Sequence, residues 1–443
     1  MSAVQFTSDE VAKAVGGHAV GPATRVDGAS IDSRSVTPGQ LFVPVVAERD
    51  GHDFVEAALA SGAAAYLTQR EPRPETSAIL VDDTGDALLD LGRAGRALLP
   101  DRVVGVTGSV GKTSTKDLLA AVLGTTYATT ANERSFNNEL GVPLTLLGAP
   151  AGTEAVVVEM GARGRSHITL LCDVARPTIG VVTVVEGAHL EHFGSLAGVA
   201  TAKAELVEAL PRAGTAVLNA DDPLVAAMAE RTVATVVTFG VESAGADVRA
   251  DDIRLDADLR PTFRLRSAWG DTEVRLAARG RHQVVNALAA AAAGLSAGVA
   301  LEAVAEGLGG ATLSPHRMDL VRAASGTRVL NDAYNANPTS MVAGLRALAA
   351  IDAERRIAVL GVMAELGADG EDAHADVAAL ARSLGIDVIA VAAPAYGDGV
   401  THVADVAAAF DALEALGLGE HDAVLVKGSR VAALERVVEA LVP

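Results

Sequence analysis

One segment constrains this chain more than any other: an apolar run that ends in a glycine turn and resumes as a helix, Val103-Val104-Gly105-Val106-Thr107-Gly108-Ser109-Val110-Gly111-Lys112-Thr113-Ser114. Glycines let the backbone curl until successive N–H groups converge on one point, and a helix starting there adds its positive end. The segment therefore predicts a phosphate cradle built from Gly108, Ser109, Gly111, Lys112, Thr113 and Ser114. In such a loop Lys112 meets the β- and γ-phosphates, and the Thr113 hydroxyl reaches Mg²⁺. The full pattern has glycine six residues before the lysine, where this chain has Val106. A phosphate loop says nucleotide but does not choose among switch, motor, kinase and ligase.

What surrounds the loop narrows the fold. From Val103 onward, short β-branched runs alternate with longer helical patterns. The runs are 103–107, 155–159, 179–185, 215–218, 234–239, 356–361, 387–392 and 423–427. Apolar runs separated by helices indicate βαβ units and parallel sheets covered on both faces. Residues 246–279 break the rhythm: Phe263-Arg264-Leu265-Arg266 and Val274-Arg275-Leu276 alternate around Trp269-Gly270-Asp271, which predicts an antiparallel hairpin at a sheet edge. Near the start, Thr7-Ser8-Asp9-Glu10 reads as a helix capping box. The 443 residues suggest about three domains at roughly 150 residues each. Breaks near 99–102 and 314–315 divide an α/β chain into a small N-terminal domain (1–100), a central phosphate-loop domain with a parallel sheet (101–314) and a C-terminal Rossmann-like domain (315–443).

Composition excludes several classes of partner. Thirty-six Lys and Arg against 56 Asp and Glu leave a net charge of −20, and aromatic residues make up 3%. Neither a broad cationic surface nor a set of base-stacking platforms is available, so nucleic acid is not the expected partner. The alanine-rich stretch 284–308 is interrupted by Asn286, Ser296, Glu302 and Glu306, and reads as packed helices rather than a membrane span. A single cysteine, Cys172, cannot make an internal disulfide or a cysteine-based zinc site. The expectation is a cytoplasmic, monomeric protein.

Acids and imidazoles follow the runs as they do at the carboxyl ends of strands in open α/β sheets. Glu159 closes the run 155–159, and His189 follows the run 179–185 in Ala188-His189-Leu190-Glu191-His192-Phe193-Gly194-Ser195. Lys203 lies early in a predicted helix, in Ala202-Lys203-Ala204-Glu205. A carboxylate and a neutral imidazole suit a divalent cation, although Mg²⁺ favours oxygen.

Together these segments resemble the central domain of the Mur ligases. So does the asparagine loop Asn137-Asn138-Glu139-Leu140-Gly141-Val142-Pro143. The likeness continues through Gly280-Arg281-His282, Asn286-Ala287-Leu288, Ser314-Pro315-His316-Arg317-Met318, Asn331-Asp332-Ala333-Tyr334-Asn335-Ala336-Asn337-Pro338, Met363-Ala364-Glu365-Leu366-Gly367 and Lys427-Gly428-Ser429-Arg430. In the first hundred residues, Asp32-Ser33-Arg34, Pro38-Gly39-Gln40-Leu41-Phe42 and Asp50-Gly51-His52-Asp53-Phe54 resemble the family's UDP-sugar-binding domain.

The resemblance implies an ATP-dependent amide ligase of peptidoglycan synthesis that works through an acyl phosphate. It implies UDP-N-acetylmuramoyl-tripeptide as the acid and D-alanyl-D-alanine as the amine, because Tyr-Asn-Ala-Asn-Pro is similar to the member that performs that step. A paralogue joining a different acid and amine, and a non-catalytic nucleotide switch, remain as alternatives. By the same resemblance Lys112, Glu159, His189 and Lys203 carry the chemistry. Thr113, Glu159, His189 and a carbamylated Lys203 would hold two Mg²⁺ ions. Gln283, Asn286, Arg317 and Asp332 join the phosphate loop on ATP, and Ser33, Arg34, Asn138, Tyr334 and Asn335 face the substrates. The chain departs from the family pattern at Val184, where asparagine is usual, at Gln283 for asparagine, at Val362 for aspartate, and over Val45-Val46-Ala47.

Overall fold

The computed structural model describes residues 4–133, 136–187, 193–367 and 370–442. Val103–Thr107 is buried along its whole length, as an apolar run without alternation requires. It lies in a nine-stranded sheet between Ala155–Glu159 and Ile179–Val182, parallel to both. Thr215–Asn219, Thr235–Gly240 and Val248–Leu255 extend the parallel part, and Thr129–Ala131 forms the opposite edge. Pro261–Ser267 and Gly270–Arg275 complete it as the antiparallel edge hairpin that the alternating pattern predicts.

Two predicted spans change. The run 179–185 ends as a strand at Val182, because the next residues turn over the phosphate loop and the Val184 carbonyl accepts the Ser109 N–H at 2.7 Å. The helix containing Lys203 begins at Leu196, capped by the Ser195 side chain on Gly198 N–H, so Lys203 sits in its middle rather than near its start. The alanine-rich stretch forms Gln283–Ser296 and Leu301–Gly310. Ala287 and Ala289 to Ala293 are fully buried there, their small side chains allowing close approach to the phosphate-loop helix Lys112–Gly124. No helix among the described residues is long and apolar enough to cross a membrane.

Before the central sheet, the five strands His18–Val20, Ala78–Leu80, Ala65–Thr68, Leu41–Phe42 and Ala29–Ser30 form a smaller sheet in that spatial order, parallel except at its first pair. Thr7 caps Ser8–Ala14 in the expected box: its hydroxyl accepts from Glu10 N–H, and the Glu10 carboxylate accepts from Thr7 N–H at 2.7 Å. Helix Thr84–Arg96 packs onto Gly141–Leu147 and His167–Ala175, so one apolar core runs from Leu67 and Leu88 into Leu146 and Val174. The buried Arg96 fastens that junction, its Nε donating to the Ala175 carbonyl at 2.7 Å.

The last sheet has six strands. Asp319–Arg322 pairs antiparallel with Arg328–Asn331, and the order then runs parallel through Asp422–Lys427, Arg355–Leu360, Asp387–Val391 and Thr401–Val403. This three-part α/β architecture with parallel sheets agrees with the predicted fold class. Glu159 and Lys427 are each the last residue of a buried parallel strand.

Candidate active site

The phosphate loop takes its shape from two glycines. Gly108 has φ +146, and a Cβ there would lie 1.9 Å from Thr183 Oγ1. Gly111 has φ +83, and its Cβ would meet Asn286 Oδ1 at 2.4 Å. Only glycine fits either place. Helix Lys112–Gly124 starts directly after Gly111, and its first residues open onto a cavity of about 540 Å³. That cavity lies between the central sheet and the C-terminal one. Ser109 Oγ ties the loop to the next strand end, donating to the Glu186 carbonyl at 3.0 Å and accepting from Glu186 N–H at 2.9 Å.

The central wall of the cavity holds charges whose demands are only partly met. Lys112 Nζ donates to the carbonyls of Gly108 (2.8 Å) and Ser109 (3.1 Å). Burial pushes its pKa down, against the pull of Glu159, and Arg317 adds to the depression. Lys203 is 3% exposed, and burial with the neighbouring Lys112 charge brings its pKa down to about 7 despite Glu205. The Glu159 backbone is fixed by Asn132 Oδ1, which accepts its N–H at 2.8 Å. Glu159 Oε1 accepts from Asn137 Nδ2 at 2.6 Å, while Oε2 is buried with no partner. A buried, unpaired carboxylate oxygen is costly unless a cation or donor reaches it.

The C-terminal wall carries Arg317, Asp332, Tyr334, Asn335 and Lys427 into the same cavity. Arg317 is flanked by two left-handed residues, His316 (φ +62) and Met318 (φ +60), a conformation that L-residues seldom adopt. Asp319 Oδ2 holds His316 N–H at 2.7 Å, and Asp332 Oδ1 holds Met318 N–H at 3.2 Å. The guanidinium lies over the Tyr334 ring, 4.4 Å from its centroid, and its Nε is buried without an acceptor. Asp332 Oδ2 accepts from Lys427 Nζ at 2.5 Å, and the Asn335 carbonyl accepts from the same ammonium at 2.9 Å. His282 also faces this space, its pKa lowered to about 4 by burial and Lys427 against the opposing pull of Asp332.

Thus the phosphate loop, Glu159, Lys203, Gln283, Asn286, Arg317, Asp332, Tyr334, Asn335 and Asn138 all line one cavity. Gln283 and Asn286 are linked, Asn286 Nδ2 donating to Gln283 Oε1 at 2.8 Å. Asn138 contributes more to local structure than its neighbour does, since Oδ1 accepts from Leu140 and Gly141 N–H at the start of helix Gly141–Leu147. Ser33 and Arg34 are not brought to the cavity: Arg34 is bound to Asp32 at 2.7 and 2.9 Å and is 87% exposed, in a turn of the N-terminal sheet. His189 and His192 lie outside the described residues. Among those described, no three His, Cys, Asp or Glu side chains form a metal cluster.

Among the cavity residues not singled out from sequence are Asn137 and Lys427. Asn137, rather than Asn138, holds Glu159; the doublet marked the loop but could not say which side chain turns inward. Lys427 was visible as a lone cation closing an apolar run, which is the signature of a buried charge at a strand end. The departures are also placed. Val184 works through its carbonyl on Ser109 N–H, and the Val362 carbonyl accepts Ser429 N–H at 2.9 Å.

The chain is similar to known proteins in both sequence and fold. Residues 25–86 match the Mur ligase family catalytic domain, 106–294 the Mur ligase middle domain and 316–430 the Mur ligase glutamate ligase domain. The UDP-N-acetylmuramoyl-tripeptide–D-alanyl-D-alanine ligase of Mycobacterium tuberculosis is 41% identical over 99% of this chain and 98% of its own length. Among solved structures, UDP-N-acetylmuramoylalanyl-D-glutamyl-2,6-diaminopimelate–D-alanyl-D-alanyl ligase from Acinetobacter baumannii superposes with a TM-score of 0.88 at 29% identity, over 99% of this chain and 98% of that one. The MurF ligase of Thermotoga maritima, in complex with ADP, gives 0.83 at 28% identity over 94% and 97% of the two chains. The chain belongs to the Mur ligase family.

Proposed function

We propose that this protein adds D-alanyl-D-alanine to a UDP-N-acetylmuramoyl-tripeptide, in the cytoplasm, using ATP to activate the tripeptide's terminal carboxylate. One observation carries the reading: a phosphate loop, a buried carboxylate with a spare oxygen and two charge-starved lysines face Arg317 and Asp332 across one cavity. A carboxylate is a poor electrophile because oxide is a prohibitive leaving group. Its oxygen therefore attacks the γ-phosphorus, the bond to the bridging oxygen breaks, and ADP departs. The amine nitrogen then attacks the acyl carbon, phosphate leaves, and the amine's proton passes to solvent or base.

The protein must bring two anions together. Lys112 and Arg317 supply positive charge from opposite walls, and each has hydrogen-bonding capacity to offer: Lys112 gives up loop carbonyls, and Arg317 Nε has no acceptor. Asp332 and Lys427 fix the C-terminal wall against which nucleotide and dipeptide would lie, with Tyr334 and Asn335. Gln283 and Asn286 would contact the nucleotide. Ser33 and Arg34, outside the cavity, suit the distant UDP end of a long acid. Closure of the cavity excludes water that would hydrolyse the acyl phosphate.

The residues also fit Mg²⁺. Glu159 Oε2 is an unsatisfied buried oxygen, and Thr113 is buried at the head of the adjacent helix. We assign these two to one ion, and His189 with Lys203 to a second. Mg²⁺ supplies charge neutralisation on phosphate oxygens when bound. A lysine with a pKa near 7 is substantially a neutral amine at physiological pH, the form that adds to CO₂ to give a carbamate. That product replaces a cation next to Lys112 with an anion.

The test is phosphate release with ATP, UDP-N-acetylmuramoyl-tripeptide and D-alanyl-D-alanine, followed by mass analysis. The expected product is the pentapeptide nucleotide, formed only with all three substrates. Turnover with another dipeptide alone points to a paralogue, and ATP binding without turnover points to a switch.

A further inference from the structure

Beyond Glu159 the cavity wall carries a cation that the nucleotide chemistry leaves unused. Strand Ala155–Glu159 runs on through Met160, Gly161 and Ala162 to Arg163, which lines the cavity. Arg163 N–H donates to His167 Nδ1 at 3.1 Å, so in a neutral ring the proton resides on Nε2, which donates to Glu139 Oε2 at 2.9 Å. Glu139 Oε1 lies 3.6 Å from Arg163 NH1 and closes the ring. His167 is 14% exposed within it, whereas the Arg163 side chain is 71% exposed. Among the described residues this loose ion pair is the one side-chain interaction of Arg163, which leaves most of its five N–H donors free.

The loop is braced from below as well. Ser166 is left-handed (φ +63), and Glu205 reaches across to accept from Ser166 N–H at 2.6 Å and Thr169 N–H at 2.9 Å. Glu205 belongs to the helix of Lys203. The segment bearing Arg163 is therefore fastened both to the asparagine loop and to the Lys203 helix. A merely solvated arginine has no need of such support.

We propose that Arg163 binds a second carboxylate of the acid substrate, one that is not activated, and so selects acids that possess it. The inference rests on the ligase reading above. An acid whose reacting carboxylate sits at the phosphate loop beside Glu159 must run its next few atoms along residues 160–163. In a tripeptide ending in glutamyl-diaminopimelate, both residues carry a spare carboxylate. Bidentate guanidinium–carboxylate pairing is strong and directional, and lysine reproduces only part of it.

The experiment compares wild type, Arg163→Gln, Arg163→Lys and Glu139→Gln. The acids are UDP-N-acetylmuramoyl-tripeptides ending in diaminopimelate or in lysine, and both phosphate release and calorimetric binding of each acid are measured. Arg163→Gln should raise KM and the dissociation constant for the diaminopimelate acid by about tenfold or more. KM for ATP and dipeptide should stay within about twofold, with Arg163→Lys intermediate. A smaller effect on the lysine acid identifies the diaminopimelyl side-chain carboxylate, and an equal effect identifies the glutamyl one. Unchanged affinity for both acids in Arg163→Gln overturns the proposal. An inactive wild type whose acid binding is nonetheless weakened by Arg163→Gln upholds it and removes the ligase reading. A wild type that binds neither acid overturns both.

Discussion

Two buried lysines face one cavity from opposite walls and meet opposite conditions. Lys427, on the C-terminal sheet, is 2% exposed and has a carboxylate at 2.5 Å and a carbonyl at 2.9 Å. Lys203, on the central domain, is 3% exposed, has Lys112 as its dominant electrostatic neighbour, and is pushed down to a pKa of about 7. On the C-terminal wall Lys427 therefore has its counter-charge within the fold, although Arg317 Nε there still lacks an acceptor. The central wall, built around the phosphate loop, leaves Lys203 without such a pair among the described residues, even though it also carries the Glu159 carboxylate. What separates the two lysines is therefore preorganisation: Lys427 is paired within the fold, and Lys203 is left to meet negative charge that the fold does not supply.

The comparison can be broken most easily at Lys112. Replacing it by methionine should lower turnover by about 10²–10³-fold, read as phosphate release, because no other described side chain inside the loop replaces its charge. A loss below tenfold would mean that the central wall is not where charge is neutralised. At the paired Lys427 the effect should fall on stability. Asp332→Ala leaves the Lys427 ammonium buried and uncompensated, and should cost about 3–5 kcal/mol in denaturant unfolding. An unchanged midpoint would contradict the pairing.

Lys203→Met sharpens the contrast, because it should lose activity while gaining stability. The folded pKa lies below the unfolded one of 10.5, so the native state carries the full penalty below about pH 7 and sheds it as pH rises toward the unfolded value. The variant should melt higher than wild type at pH 6 and converge with it near pH 10. A lower melting temperature at pH 6 counts against a charge-starved site. Lys203→Ala should recover part of its turnover with added short carboxylates, and no recovery counts against the carbamate. Asn137→Ala should reduce turnover roughly 10–100-fold by releasing Glu159. Asn138→Ala should mainly cost about 1 kcal/mol as a lost helix cap, and comparable activity losses for the two would erase the distinction between them.

Much of this was legible in the residues, for identifiable reasons. Buried parallel strands read as unbroken apolar runs, so Val103–Thr107 and Ala155–Glu159 have the boundaries the sequence predicts. The phosphate loop was legible because its conformation admits only glycine at 108 and 111. Side-chain direction was not legible. Nothing in Asn137-Asn138 says which amide meets Glu159, since that follows from the Gly161 N–H donating to the Asn137 carbonyl at 2.8 Å, a contact between distant segments. The ring of Glu139, Arg163 and His167 was invisible for the same reason: its members lie in two loops and at the start of helix His167–Ala175, joined by tertiary packing. The start of the Lys203 helix was misplaced because Ser195 caps it, and serine before a weakly periodic alanine-rich segment is a faint signal.

The most direct test of the account follows an oxygen atom. With ¹⁸O in the tripeptide's terminal carboxylate, activation through an acyl phosphate transfers one labelled oxygen to each phosphate released alongside the peptide product. Unlabelled phosphate, formed at the same rate as the amide, would contradict it.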